Sequence, residues 1–100
     1  MASKIVWSTQ AEETFDKITD NLLEKWSEAI AVKFVQQAFK NIDKIALFPF
    51  SSPAFNDYPD IRKCIINKHV SLFYRIKDDN IELITFHENR RNLDELKLDE

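Results

Sequence analysis

The 100-residue sequence contains no glycine. Loops that hold a phosphate need glycine, because a side chain would keep the backbone from approaching the phosphate oxygens closely. Phosphate-loop and dinucleotide-binding functions are therefore excluded. Turns in this chain must depend on asparagine, aspartate and proline instead.

Cysteine is almost absent too, since Cys64 is the only one. One thiol cannot form an internal disulfide and cannot by itself build a zinc site, which excludes disulfide scaffolds and zinc modules. We expect neither a metal nor another cofactor. Cys64 is expected to be a small buried hydrophobe rather than a nucleophile, because nothing nearby in sequence would clearly lower its pKa.

Long hydrophobic runs are also missing. No apolar stretch approaches the roughly 20 residues of a membrane-spanning helix, and the first residues lack the layout of a signal peptide. We therefore expect a soluble, cytoplasmic protein with no membrane partner. Hydrophobic residues still make up 44 % of the chain, enough for one core and one domain over residues 1–100, with residues 88–100 as a short charged tail.

The net charge of −3 conceals an uneven distribution of charged residues. Residues 61–77 contain no acidic residue and five basic ones: Arg62, Lys63, Lys68, Arg75 and Lys77. A local basic patch in an acidic chain can attract a polyanion or an acidic protein. Ordinary solvated charges on a strand are the alternative, and the sequence leaves both open.

Helical periodicity extends over residues 10–47. Thr9 and Glu12 have capping-box spacing, and Ser27 can cap a second helix. In the first helix the apolar residues recur at steps of three and four: Ala11, Phe15, Ile18, Leu22 and Trp26. The pattern predicts an antiparallel helical hairpin of residues 10–25 and 28–47, preceded by a strand at residues 4–7.

The period changes to two after a segment, residues 48–59, that holds all three prolines. That segment is predicted to be a surface loop, in which Phe48, Phe50 and Phe55 are expected to pack rather than to face a partner. Strands are predicted at 61–67, 70–77 and 81–87. The fold class is therefore α+β: an N-terminal strand, an antiparallel helical hairpin and a three-stranded antiparallel meander.

The ordered landmarks resemble the RelE/ParE superfamily of bacterial toxins over roughly residues 4–92. No landmark is specific alone, but the ordered set covers nearly the whole chain. The first landmark is the opening strand, which runs into a helix at Ala11. The helices add the aromatic Trp26 and then Ala31 and Phe34. The later landmarks are Leu47-Phe48-Pro49 before the loop, Ile61-Arg62 at the start of the sheet, Phe73-Tyr74-Arg75-Ile76 in the middle strand and His87-Glu88-Asn89-Arg90 at the end of the last strand.

The resemblance implies the toxin of a type II toxin-antitoxin system, a growth inhibitor associated with plasmid stabilisation. A cognate antitoxin would neutralise the toxin and bind promoter DNA, which the toxin would reach only through that antitoxin. ParE-like members poison DNA gyrase, whereas RelE-like members cleave messenger RNA on the ribosome. A non-toxic binding domain of the same fold is a further alternative.

The RelE-like mechanism would need an acid-base group and cations for metal-independent RNA cleavage. His87 could exchange protons at neutral pH, and Arg62 and Arg90 could stabilise the charged phosphate. A structural explanation is also open for each: His87 could hydrogen-bond a neighbouring carbonyl or carboxylate, and Arg62 could pair with an acid on the helices.

The nuclease set is incomplete in this sequence. In one RelE-like branch a tyrosine follows the histidine, whereas Glu88 follows His87 here, and no tyrosine occurs after Tyr74. The pI of about 5.4 is low for a protein that docks on ribosomal RNA. We therefore favour the ParE-like, non-enzymatic mechanism, with gyrase as the target. Its candidate target-binding residues are Arg62, Lys63, Arg75, Arg90 and Arg91.

Overall fold

The computed structural model describes residues 3–55 and 58–89. Two long helices lie between a first strand and the later strands, as the sequence predicts, but four strands follow the helices instead of the three that were predicted. The elements are β1 (Lys4–Trp7), α1 (Thr9–Lys25), α2 (Glu28–Leu47), β2 (Ala54–Phe55), β3 (Tyr58–Asn67), β4 (Val70–Lys77) and β5 (Asn80–Glu88).

The strands form one mixed sheet in the order β1-β5-β4-β3-β2. The meander β3-β4-β5 is antiparallel, which confirms the prediction from the period of two. Strand β1 lies parallel to β5, with Lys4 opposite Asn80 and Trp7 opposite Leu83. The two helices between β1 and the meander supply the long connection that parallel strands require.

Each helix begins at a serine. The Ser27 hydroxyl accepts a hydrogen bond from the Ile30 amide, so the predicted cap of α2 is confirmed. For α1 the prediction of Thr9 is wrong by one residue, because the Ser8 hydroxyl accepts the Ala11 amide at 2.9 Å. Ser8 is held in place by the sheet, since its amide donates to the Leu83 carbonyl and its hydroxyl to the Ile84 carbonyl.

The core lies between the helical hairpin and one face of the sheet. Its buried side chains come from both helices and from β3, β4 and β5, including Ala11, Ile18, Phe34, Ala38, Ile42, Leu72, Tyr74, Leu83 and Phe86. Trp26 was expected on this face but is 65 % exposed. Helix α1 ends at Lys25, and Trp26 adopts a non-helical backbone as its C-cap, so the helical period no longer directs its side chain inward.

The loop that follows α2 is shorter than the predicted loop of residues 48–59. Ala54–Phe55 forms the short strand β2, and β3 begins at Tyr58 rather than at residue 61. Pro59 is tolerated near the start of β3 because it precedes Ile61, where the pairing of β3 with β4 begins. Phe55 packs against Phe73 with ring centroids 4.7 Å apart, so packing is confirmed for this aromatic residue.

In the turns, asparagine and aspartate take positions that glycine often occupies in other proteins. Asp78 takes the positive φ of 55° between β4 and β5, a conformation that aspartate adopts more readily than most residues. The Asn67 side chain accepts the amides of His69 and Val70 in the preceding turn. The predicted tail lies almost wholly outside the described residues. Within the described ranges, neither helix is apolar enough to cross a bilayer.

Replacing Ser8 with alanine should destabilise the protein more than replacing Ser27. Ser8→Ala removes a helix cap and leaves the Ile84 carbonyl without this donor, which should lower the free energy of unfolding by about 1–3 kcal/mol. Ser27→Ala removes a more exposed cap and should cost about 1 kcal/mol or less. Urea denaturation of both variants measures the difference. Equal losses of unfolding free energy would contradict the inference that Ser8 stabilises the protein both as a helix cap and through its bond to the sheet.

Candidate functional site

The sheet presents two faces with different chemistry. Side chains alternate along each strand, so Arg62, Cys64 and Tyr74 point toward the helices, whereas Lys63 and Phe73 point to the opposite face. Arg62 and Tyr74 are direct cross-strand neighbours on β3 and β4. Here we call the first side the helix face and the second the open face.

On the helix face, Arg62 and Tyr74 hold the loop that follows α2. The Tyr74 hydroxyl donates a 2.7 Å hydrogen bond to the Pro49 carbonyl, and the Arg62 guanidinium donates to the Ser52 carbonyl. The same guanidinium lies 4.8 Å from the centre of the Phe50 ring, in a cation-π contact. Arg62 therefore contacts the loop in place of the helix acid considered from sequence.

Cys64 lies on the same face, two residues after Arg62 on β3. Its side chain is 7 % exposed, which confirms the expectation of a buried residue. The thiol donates to the Asn41 side-chain oxygen on α2, with 3.6 Å between sulfur and oxygen. Burial raises the pKa of the Cys64 thiol, which leaves it protonated and weakly nucleophilic at neutral pH.

Tyr74 has no exposed surface. Burial raises the pKa of its phenol, and this effect outweighs the smaller, opposing influences of Ser52 and Arg62. Because the neutral phenol can donate its proton to the Pro49 carbonyl, the protonated form is the one that the fold requires. Tyr74 is therefore an anchor for the loop and not a proton-transfer group at neutral pH.

The open face carries a small second cluster and two further predicted cations, Lys63 and Arg75. Ile61, Phe73 and Ile84 are buried there, with Phe55 of β2 packed against them. Arg75 forms a 3.4 Å ion pair with Glu82 on the neighbouring strand. The pair is partly exposed and contributes little net stability, but it neutralises one of the predicted target-binding cations.

His87 lies near the end of β5, on the open face. It is 7 % exposed, and its ring centroid is 6.3 Å from that of Phe73 in an edge-to-face arrangement. Ser71, opposite His87 in the register, is fully buried and donates to the Asn89 side chain. The imidazole is thus surrounded by protein, and little of it is accessible to a substrate.

The structure does not bring the predicted site residues together on one surface. Arg62 is on the helix face, whereas Lys63, Arg75 and His87 are on the open face, because neighbouring residues of a strand point in opposite directions. The basic patch predicted for residues 61–77 is consequently divided. Arg90 and Arg91 lie outside the described residues. Within the part of the chain that is described, no group of three metal-binding side chains occurs.

Two aromatic residues of the loop were not predicted to be exposed. Phe48 is 63 % exposed and Phe50 is 70 % exposed, so the expectation of packing is wrong for both. The sequence signal was the concentration of aromatics beside proline, but a linear pattern cannot show which ring faces inward. Their exposure depends on the anchoring of the loop by Arg62 and Tyr74.

The stability of the protein should fall as the pH rises through the alkaline range. The pKa of Cys64 lies above its ordinary value of 9.0 and that of Tyr74 above 10.0 in the folded state. The unfolded chain therefore releases these protons first, and unfolding becomes more favourable above about pH 9. Urea denaturation from neutral to alkaline pH should show a smaller decline for Cys64→Ala with Tyr74→Phe than for the wild type.

Tyr74→Phe alone should also cost about 1 kcal/mol at neutral pH, because the Pro49 carbonyl loses its donor. Tyr58→Phe is the matched control, since Tyr58 is 50 % exposed and its hydroxyl should contribute little. An alkaline decline that is identical in the wild type and the double variant would show that other groups control this pH dependence.

Comparison with known structures places the fold among toxin-antitoxin proteins. The chain aligns with a protein of the chromosomal ParDE system of P. aeruginosa at a TM-score of 0.74 and 17 % identity, covering 87 % of this chain and 96 % of that one. For a mutant of the E. coli toxin RelE in the free state the values are 0.63 and 15 %, with coverage of 90 % and 86 %. For the RelBE2 toxin-antitoxin complex of Mycobacterium tuberculosis they are 0.58 and 14 %, with coverage of 88 % and 99 %.

A search of curated protein sequences gave no significant match. These structural similarities are at low identity and establish the fold, which confirms the predicted RelE/ParE-like architecture. The family model for the ParE toxin of the type II toxin-antitoxin system parDE matches residues 5–93. This match begins within β1 and includes both helices and the four later strands. The chain therefore belongs to the ParE toxin family of type II toxin-antitoxin systems.

Proposed function

We propose that this toxin arrests growth by binding DNA gyrase and that it does so without cleaving nucleic acid. The observation that carries the proposal is the match of residues 5–93 to the ParE family model. ParE-like members of the superfamily act on gyrase, and the match includes nearly the whole folded part of this chain.

The geometry of the candidate nuclease residues supports the same proposal. RNA cleavage would need His87 and the cations to converge within hydrogen-bond distance of one phosphate. His87 is buried on the open face, whereas Arg62 is directed to the helix face and is occupied by Ser52 and Phe50. These two residues do not share a catalytic site in this conformation.

The proposal includes a cognate antitoxin as the neutralising partner. The P. aeruginosa relative comes from a ParDE toxin-antitoxin system, and the M. tuberculosis relative was solved as a toxin-antitoxin complex. Several large apolar side chains of this chain are exposed, among them Trp26, Phe48 and Phe50. A partner that covers such side chains and binds only the folded toxin would also stabilise the toxin by mass action.

The test of the gyrase proposal is expression of wild-type and His87→Gln toxin, followed by parallel assays of DNA supercoiling and translation. We chose glutamine because it removes the imidazole acid-base group while retaining a polar side chain of moderate size at this buried position. Both proteins should inhibit supercoiling, and both should leave messenger RNA intact. A thermal melt of each purified protein should confirm that both are folded.

The opposite result is equally specific. If the toxin is a ribosome-dependent nuclease, messenger RNA should show codon-phased cuts after induction, and His87→Gln should slow cleavage by roughly 10²- to 10⁴-fold. Cuts of this kind in the wild type, together with normal supercoiling, would overturn the proposal and make the protein an enzyme. Normal growth, supercoiling and translation in the presence of folded protein would point instead to a non-toxic binding domain.

A further inference from the structure

We propose that the exposed side chains of Leu47, Phe48 and Phe50 form the docking surface for an acidic segment of the antitoxin. We call these three residues the aromatic loop surface. The inference rests on the proposed toxin-antitoxin function and adds to it a location on the toxin and a chemical class of ligand.

The aromatic loop surface is apolar and open to solvent. Leu47, Phe48 and Phe50 are 59 %, 63 % and 70 % exposed, although they lie within four consecutive positions of the chain. Isolated exposed hydrophobic residues are common, but three of them within four positions at one end of a helix favour a protein-protein contact. Aromatic side chains are also enriched among residues that dominate binding energy.

The backbone beneath these side chains is already fixed. The Phe48 amide donates to the Lys44 carbonyl at 2.8 Å, and the Ser51 amide donates to the Phe48 carbonyl at 3.0 Å. Tyr74 holds the Pro49 carbonyl from below, and Arg62 holds the Phe50 ring. A ligand would therefore meet a preorganised surface, so that little of the binding energy is spent on ordering the loop.

The charges on the last turns of α2 favour an acidic ligand. Lys40 and Lys44 precede it on α2, and in the described part of the chain neither lysine has a carboxylate within ion-pair distance. Arg62 adds a third cation beneath Phe50, whereas Asp43 is the one acid in the same final turns of α2. An acidic segment would gain from this excess of positive charge.

The neighbouring helix would repel the same ligand. Helix α1 contains five acidic residues and two basic ones, a net charge of −3, whereas α2 contains two acidic and three basic residues, a net charge of +1. The net charges therefore favour α2 over α1 as the helix that contacts an acidic segment with apolar anchors. The two helices of one hairpin therefore differ in the ligand that each can accept.

The experiment measures binding of the purified protein encoded beside this gene, which is the expected antitoxin. Calorimetric titration compares the wild type with Phe48→Ala combined with Phe50→Ala. We expect the dissociation constant of this double variant to rise at least about tenfold. Ile65→Ala is the matched control, because Ile65 is 63 % exposed on β3 and should change the affinity less than about twofold.

A second pair of variants tests the charge argument. Lys40→Glu with Lys44→Glu should weaken binding several-fold at low salt and should reduce its salt dependence. Lys17→Glu with Lys25→Glu makes the same change in net charge on α1 and is the control, with little effect expected. These lysine variants leave the aromatic side chains intact, so they decide the question if the phenylalanine variant proves to be unfolded in a thermal melt.

The outcomes separate this inference from the proposed function. If the phenylalanine and the α2 lysine variants both bind the antitoxin with wild-type affinity, the inferred docking surface is wrong and the toxin-antitoxin function still stands. Equal losses in the variants and their controls would also overturn it. Retained antitoxin binding with lost toxicity would assign the surface to the target instead. Absence of any binding by the wild type would contradict both proposals.

Discussion

Strand β1 is paired in parallel with β5, and this pairing joins the beginning of the chain to its last described strand. It fixes Ser8 against the carbonyls of Leu83 and Ile84, so that α1 starts at a position defined by the sheet. The helical hairpin then covers the helix face, and the core closes between them. Because neither helix would be stable alone in water, the placement of both depends on this long-range contact.

The cross-strand pair Arg62 and Tyr74 fixes the position of the loop after α2. Both residues project from adjacent strands toward the loop after α2, and each binds a loop carbonyl. The loop is thereby fixed although it has little regular structure. Its aromatic side chains are consequently displayed at defined positions, which is the condition for an efficient binding surface.

These two features also determine which titratable groups are buried. Among the described residues, burial shifts the pKa of Cys64 and that of Tyr74 toward the neutral form. Such groups stabilise a structure but do not exchange protons at neutral pH. The exposed aromatic and cationic side chains near the loop lie on a preorganised support, an arrangement that favours the proposed recognition of a protein partner.

The sequence alone determined the fold class, both helices and the strands other than β2, because periods of 3.6 and 2 reflect which face of each element is buried. It also indicated that Cys64 is buried. Only the tertiary structure decided that Arg62 and His87 face opposite sides of the sheet, that Trp26 is exposed and that Phe48 and Phe50 face solvent. The physical reason is that periodicity encodes local alternation, whereas the neighbours of a side chain at a helix end, in a loop or across strands come from distant parts of the chain.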